Sequence, residues 1–202
     1  MKPGLILSLI ALIFIISCQS KRLTSIEKRL INAGPADSAM YVLSVFNTED
    51  SLVLRKISDP VNQPDNKHLK LLVQRMLITV THPEVGGVGI AAPQVGINRR
   101  IILVQRFDKQ DEPFETYFNP VILSPSTETV TRDEGCLSIP GCRGPVERPD
   151  VIEIKYTQPE GNEVIETVQG FTARIFQHEI DHLDGVLYTD LLKADSLLRK
   201  LE

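Results

Sequence analysis

Residues 177–185 read QHEIDHLDG, a pattern that places two histidines four positions apart. On a helix, His178 and His182 lie one turn apart and point the same way, so both imidazoles can bind a single metal ion. Glu179 lies beside that face, where it can take a proton from a metal-bound water without being a ligand. The pattern predicts a metal site with an adjacent general base. An exposed, charged helix is the alternative.

The helix that carries this pattern has apolar residues on two sides. At 3.6 residues per turn, Phe171 and Ile175 share the histidine stripe, whereas a second stripe lies opposite and consists of Phe176, Ile180 and Leu183. Gly185 supplies a stop after the last turn. A helix that is apolar on two faces predicts a central, buried element with the histidines on one wall.

The composition limits the classes of protein to consider. The chain has 202 residues, of which 42% are hydrophobic, so one ordinary globular domain is expected. Its net charge of −4 and its lack of a basic run argue against nucleic acid as a partner. Three cysteines are too few for a disulfide scaffold. A monomer is expected.

The amino terminus has the pattern of an export signal. Lys2 precedes an apolar run over residues 5–16, and Ser17-Cys18 follows it. Residues 1–17 resemble a bacterial lipoprotein signal peptide, which implies lipidation of Cys18 and a membrane-anchored protein facing the periplasm or the cell exterior. The alternatives are an uncleaved signal anchor, or a misassigned start codon and a cytoplasmic protein.

The sequence predicts that the chain is divided into four segments, of which the signal peptide is the first. After the signal peptide, residues 18–48 are predicted to form a polar tether with room for one short helix at residues 24–31. Residues 49–192 are expected to form the catalytic domain, and residues 193–202 a short C-terminal tail. Asp65 is expected to cap the first long helix of the domain.

The middle of the chain indicates β structure. Short apolar runs occur at residues 101–104 and 117–123, and residues 151–156 are predicted to pair with residues 163–168 across a turn. Strands come first and the histidine helix comes last, without alternating βα units. This order predicts an α+β fold with antiparallel sheets around a central metal-binding helix.

Two further segments carry groups suited to chemistry. Residues 86–96 combine small residues, which let another backbone approach closely, with the amide donor of Gln94; a tight turn is the alternative. Cys136 lies in a glycine-bounded, non-helical segment. It is either a buried hydrophobic residue or the third ligand of the histidine site. One thiolate, two imidazoles and a water would form an open tetrahedral arrangement.

Three motifs together resemble the peptide deformylase family. They are a Gly-x-Gly-apolar-Ala-Ala-x-Gln loop at residues 87–94, Glu-Gly-Cys-Leu-Ser at residues 134–138, and His-Glu-x-Asp-His-Leu-x-Gly at residues 178–185. The likeness covers about residues 54–192. It implies antiparallel sheets around the His-Glu helix and hydrolysis of the formyl group of N-formylmethionyl peptides.

The resemblance also implies a ligand set and an acid–base group. Cys136, His178 and His182 would hold one divalent metal ion, with Glu179 as general base and then general acid. Thiolate and imidazole donors suit Fe(II), Zn, Ni or Co, and the family resemblance favours Fe(II). The metal would lower the pKa of its water, and the resulting hydroxide would attack the formyl carbon.

The substrate contacts carry over in the same way. Gln94 and the backbone N–H of Leu137 would stabilise the oxyanion, Gly89 would pair with the substrate backbone, and Arg143 would contact the peptide after its methionine. From helix geometry, Phe171 and Ile175 can line an apolar pocket for that methionine. Glu134 and Asp181 are expected to orient the ligands, with Asp181 paired to Arg148.

The predicted export signal departs from the family, whose members act in the cytoplasm. Outside the cytoplasm Cys136 could pair with Cys142 instead of binding metal. The natural substrate could then be an exported or scavenged formyl peptide, or another N-acyl peptide. A zinc peptidase and a non-catalytic formyl-peptide binder are the remaining alternatives.

Overall fold

The computed structural model describes residues 22–193 and 199–200, so the predicted signal peptide and Cys18 lie outside the described residues. Within them, the α-helices are α1 (Ser25–Ile31), α2 (Thr48–Leu54), α3 (Lys67–Thr81) and α4 (Gly170–Leu183). The strands are β1 (Gly89–Ala91), β2 (Ile101–Gln105), β3 (Phe114–Pro125), β4 (Thr129–Cys136), β5 (Ile139–Pro149), β6 (Val151–Thr157), β7 (Glu163–Gln169) and β8 (Arg199–Lys200). In this part of the chain no helix has the length and apolar character needed to cross a bilayer.

The strands form two antiparallel sheets. One has the order β1-β2-β3-β6-β7 and the other the order β4-β5-β8. The predicted pairing of the two strands around residues 151–168 is confirmed, because β6 and β7 pair from Val151 with Gln169 to Thr157 with Glu163. The prediction of an α+β fold with antiparallel sheets is therefore confirmed.

Strand β2 places the larger sheet between two helices. Ile101 and Leu103 belong to the apolar cluster that contains the buried face of α3, whereas Ile102 and Val104 belong to the cluster that contains α4. This alternation follows from the two-residue period of a strand. Helix α3 is capped by Asn66, whose Oδ1 accepts from the N–H of His68 at 2.9 Å, so the prediction of Asp65 as the cap was wrong.

Helix α4 lies between the two sheets. It packs on the five-stranded sheet through five buried residues: Ala173, Ile175, Phe176, Ile180 and Leu183. Its other face meets the smaller sheet, where Arg174 Nη1 donates to the carbonyl of Val146 at 3.0 Å. The periodicity over residues 171–183 therefore correctly predicted a central helix with two covered faces.

The prediction of a tether over residues 18–48 is wrong for its described part. Helix α1 begins with a capping box between Thr24 and Glu27, and its last residue, Ile31, is fully buried against α3. Glu27 accepts from Arg99 Nε at 2.6 Å and from Arg99 Nη2 at 2.8 Å. Glu27 and Ile31 are four positions apart, so one helix face supplies both contacts.

Backbone hydrogen bonds also join the segments before and after the domain to it. Residue 43 donates its N–H to the carbonyl of Gln94 at 2.8 Å. At the other end, β8 pairs with Cys142 and Arg143 of β5, so part of the predicted C-terminal tail is a strand of the smaller sheet. The sequence did not predict these pairings because neither segment has a strand-like apolar pattern of its own.

The Glu27–Arg99 ion pair is expected to make stability depend on acid pH. Burial opposes ionisation of Glu27, but hydrogen bonds from Arg99 and Thr24 outweigh it, so the pKa of Glu27 lies below its usual 4.5. The pair therefore stabilises the fold above that value, and this contribution is lost as pH falls through the lowered pKa.

We expect Glu27→Gln to reduce the free energy of unfolding by about 2 kcal/mol at neutral pH, because the buried Arg99 guanidinium loses a hydrogen-bonded carboxylate. In urea unfolding, the difference between parent and variant should shrink at strongly acidic pH. Glu163→Gln, at a carboxylate whose side chain is 69% exposed, serves as the control. A pH-independent difference would contradict the assignment of the effect to ionisation.

Candidate active site

Three donors meet where β4 faces α4. Strand β4 ends at Cys136 after a register shift between Gly135 and Cys136, and the thiol lies 3.2 Å from His182 Nε2. The rings of His178 and His182 are 5.1 Å apart and perpendicular. The ligand atoms of all three residues lie within 4.8 Å of one another. The structure thus brings together the predicted thiolate and both predicted imidazoles.

Glu134 orients this cluster from behind. Its carboxylate accepts from His178 Nδ1 at 3.0 Å, from Arg148 Nε at 2.6 Å and from Arg174 Nη1 at 2.6 Å. Arg148 also donates to Asp181 at 2.8 Å, which confirms the predicted pairing. A carboxylate on Nδ1 fixes the imidazole plane and leaves Nε2 for a metal.

The electrostatics suit a metal site beside a proton carrier. Burial alone would raise the pKa of Glu134, but hydrogen bonds from His178 and Arg148 lower it to about 2. Burial keeps the pKa of His182 well below its usual value, so its imidazole is neutral. Burial also raises the pKa of Glu179 to about 7.

Among the described residues, Glu179 Oε2 is one of three buried polar atoms at this site without a hydrogen-bond partner, the others being His182 Nδ1 and the Tyr188 hydroxyl. Glu179 is 4% exposed. Buried oxygens are rarely left unpaired, and those that are often serve catalysis or bind a water or ion. Glu179 lines the same cleft as Cys136 and His178. Its position and raised pKa are suited to exchanging a proton with a molecule in that cleft.

Gln94 is held with its amide directed at the same place. The side-chain carbonyl accepts from the N–H of Ala91 at 2.8 Å, so its Nε2 must point the other way, 3.7 Å from the Cys136 thiol and 3.4 Å from Ser138 Oγ. The short 3-10 helix Ala92–Val95 brings the Gln94 side chain back to the N–H of Ala91. Leu137 follows Cys136 directly and lines the cleft.

The cleft has a volume of about 430 Å³. All four residues predicted to contact substrate line it: Gly89, Arg143, Phe171 and Ile175. Phe171 is 43% exposed at the opening, whereas Ile175 is buried beside the histidines. The cleft therefore combines an apolar wall with two of the three clustered donor residues, Cys136 and His178, and with two cations, Arg143 and Arg174.

Sequence reasoning missed two contacts. Arg174 was not singled out, although it lies four positions before His178 on the same helix, a spacing that places both side chains on one face. Tyr188, which is 1% exposed, stacks on the ring of His178 with centroids 6.2 Å apart. No sequence spacing points to Tyr188, because it belongs to a separate short 3-10 helix, Tyr188–Leu191.

Gly89 is expected to tolerate no side chain. A Cβ at this position would lie 2.6 Å from Glu179 Oε1 and 2.8 Å from Ile175 Cγ2. We expect Gly89→Ala to lower kcat by about 10²-fold, because displacing a catalytic group by about 1 Å has effects of that size. The measurement is kcat with metal content determined in parallel. The matched control is Gly135→Ala, where the nearest atom to the new Cβ would be 3.4 Å away; an equal loss there would overturn the explanation.

The fold and the site are those of a metal-dependent hydrolase, with a Cys-His-His cluster that could hold a metal ion beside a buried carboxylate. Comparison with known proteins gives the family. The family model for polypeptide deformylase matches residues 42–197. The peptide deformylase of Maricaulis maris is 41% identical over 76% of this chain and 86% of its own length. That of Thermotoga maritima is 42% identical over 80% of this chain and 93% of its own.

Solved structures agree with the family model. The crystal structure of the class I type b peptide deformylase from Acinetobacter baumannii bound to K1U has a TM-score of 0.69 and 39% identity, and the match covers 77% of this chain and 99% of that one. The chain belongs to the polypeptide deformylase family, as its sequence predicted. It is a metal-dependent hydrolase that removes the formyl group from N-formyl peptides.

Proposed function

We propose that Cys136, His178 and His182 hold one Fe(II) ion in this protein. The donor set supports a soft or borderline divalent metal, because it joins a thiol to two imidazoles, one of them buried and neutral. Zn, Ni and Co suit the same donors and are the alternatives. A bound metal would polarise the formyl oxygen and acidify a water at the site.

Glu179 carries the proton in this proposal. Its unpaired Oε2 takes a proton from the attacking water and then passes it to the amine nitrogen as the formamide C–N bond breaks. The products are formate and a peptide with a free amino terminus. The buried, unpartnered carboxylate beside the three-donor cluster is the observation that carries the proposed mechanism.

Gln94 and Leu137 act on the oxygen of the formyl group. As water adds to the formyl carbon, negative charge develops on that oxygen, and the Gln94 amide and the Leu137 N–H stabilise it by hydrogen bonding. The bond from Ala91 to Gln94 Oε1 supports this role, because it fixes the amide before substrate arrives.

The remaining residues position the peptide. Gly89 pairs with the substrate backbone as an added strand, Ile175 and Phe171 hold the methionine side chain, and Arg143 contacts the residues that follow it. A related crystal structure, that of the Acinetobacter baumannii enzyme with Met-Ala-Ser bound, is 38% identical to this chain, with a TM-score of 0.67. Its peptide supports a methionine at the first position of the substrate.

Formate release from an N-formyl-Met peptide tests the proposed metal. The mature protein is purified without oxygen, stripped with a chelator, and reloaded separately with Fe(II), Zn, Ni or Co. We expect activity to disappear on stripping and to return most fully with Fe(II). Cleavage of unformylated peptides would favour the zinc-peptidase alternative, and binding of formyl peptide without formate release would favour the non-catalytic binder.

We also propose that the protein is a monomeric lipoprotein anchored through Cys18 and facing the periplasm or cell exterior. The charged residue, apolar run and Ser17-Cys18 junction support this location. Its substrates would then be exported or scavenged formyl peptides. Radiolabelled palmitate should enter the parent chain but not Cys18→Ser, and the variant should leave the membrane fraction. Unlabelled parent protein in the cytoplasm would favour a misassigned start codon.

A further inference from the structure

We propose that helix α1 lies on the surface of an anionic membrane and holds the catalytic domain against it. This inference rests on the proposed lipid anchor at Cys18. It goes beyond that anchor by assigning a membrane-contacting surface to folded residues. The surface, called here the α1 face, consists of Ile26, Arg29 and Leu30 on the helix and Arg22 just before it.

The α1 face is an addition to the family's catalytic domain. The family model begins matching at residue 42, whereas α1 spans Ser25–Ile31. The substrate cleft is lined by residues from 85 onward, so α1 takes no part in it. A helix that the reaction does not use, yet that is bonded firmly to the domain through Glu27 and Ile31, requires another explanation.

The exposed side of α1 is both apolar and basic. Ile26 is 62% exposed and Leu30 41% exposed, and the two lie one helical turn apart. Arg29 is exposed beside them, and Arg22 is exposed just before the helix. Lys28 is also exposed, but it lies about half a turn around the helix from both apolar residues. The acid of this helix, Glu27, is turned inward and engaged by Arg99. Apolar side chains next to basic ones are what an interfacial helix presents to anionic lipid. This patch is basic although the whole chain has a net charge of −4.

The short linker between Cys18 and the domain indicates that a bilayer is the partner of the α1 face. Arg22 is the fourth residue after Cys18, and four residues span at most ~14 Å. The backbone of Arg22 is already fixed to the domain, because its carbonyl accepts from Arg99 Nη2 at 2.9 Å. A lipid on Cys18 therefore keeps this end of the domain closer to the bilayer than the ~30 Å width of a small domain. The part of the domain nearest the lipid is α1.

A tryptophan reporter tests the contact directly, because the chain has no tryptophan of its own. The lipidated full chain, carrying Ile26→Trp, is reconstituted into phosphatidylglycerol and phosphatidylcholine vesicles whose acyl chains are brominated. Ile165→Trp is the matched control, since Ile165 is similarly exposed at 58% but lies on β7, at the far edge of the five-stranded sheet. Formate release by each variant verifies that it is folded.

We expect the Ile26→Trp emission to shift to shorter wavelength and to be quenched several-fold more than that of Ile165→Trp. Equal, weak quenching in protein that floats with the vesicles would overturn the α1 contact while leaving the anchor intact, and would favour a protein partner for this face. Failure of the protein to float with vesicles would overturn the anchor, and this inference with it.

Discussion

Glu179→Gln is expected to lower kcat for formate release by about 10²–10⁴-fold, the usual range for loss of a general acid–base group. The substitution keeps the shape of the side chain but removes the group that accepts the proton. Because Glu179 is not among the three clustered ligands, metal content should not change. The measurement is single-turnover formate release by protein whose metal content has been determined.

Glu163→Gln is the matched control for this experiment, because it removes a carboxylate from the exposed end of β7. It should leave kcat within a factor of about two, as exposed substitutions usually do. If Glu179→Gln bound metal fully and still released formate at the parent rate, the proton would have to travel by another route. The assignment of Glu179 would then be abandoned.

Glu134→Gln is expected to affect stability and metal binding together. Glu134 is 6% exposed and is the shared anion for Arg148 and Arg174, which are 5% and 6% exposed. Removing one partner of a buried ion pair typically costs about 3–5 kcal/mol. Loss of the carboxylate behind a ligating histidine typically weakens metal affinity by about 10–100-fold. Urea unfolding and competition with a chromophoric chelator measure the two effects.

Asp181→Asn provides the comparison, because Asp181 contacts only one of these arginines in the bonds described above and its side chain is 27% exposed. We expect a clearly smaller loss of stability and little change in metal affinity. Equal effects of the two substitutions would show that charge near Arg148 matters, rather than the contact between Glu134 and His178.

The sequence predicted those features that depend on short spacings. Two histidines four positions apart on a helix predict a ligand pair, and the continuous apolar run of β2 predicts a strand covered on both faces. Cys136 could be connected to them because it lies in a segment bounded by Gly135 and Gly141 and because three motifs occur in one order. The family, the α+β fold and the hydrolytic activity followed from these local patterns and are confirmed.

Other features depend on contacts between distant segments and had no local signal. Glu134 meets Arg148 on β5 and Arg174 on α4, so its role as a shared anion appears only once both sheets have folded around the helix. In the same way, residues 22–48 looked like a tether because the partner of Glu27, Arg99, lies far along the chain. Polar composition alone does not separate a linker from a segment held by ion pairs.

The placement of the three proposed ligands on two different layers has a consequence for folding. Cys136 ends a strand of the smaller sheet, whereas both histidines belong to the helix that packs on the larger one. An ion held by all three would act as a crosslink that closes a long loop, much as a disulfide does. The free energy of unfolding would then depend on the concentration of the metal ion. At an ion concentration of ~100 times the dissociation constant, binding stabilises the native state by about 2.7 kcal/mol. Metal supply in its compartment would thus set how long the protein survives there.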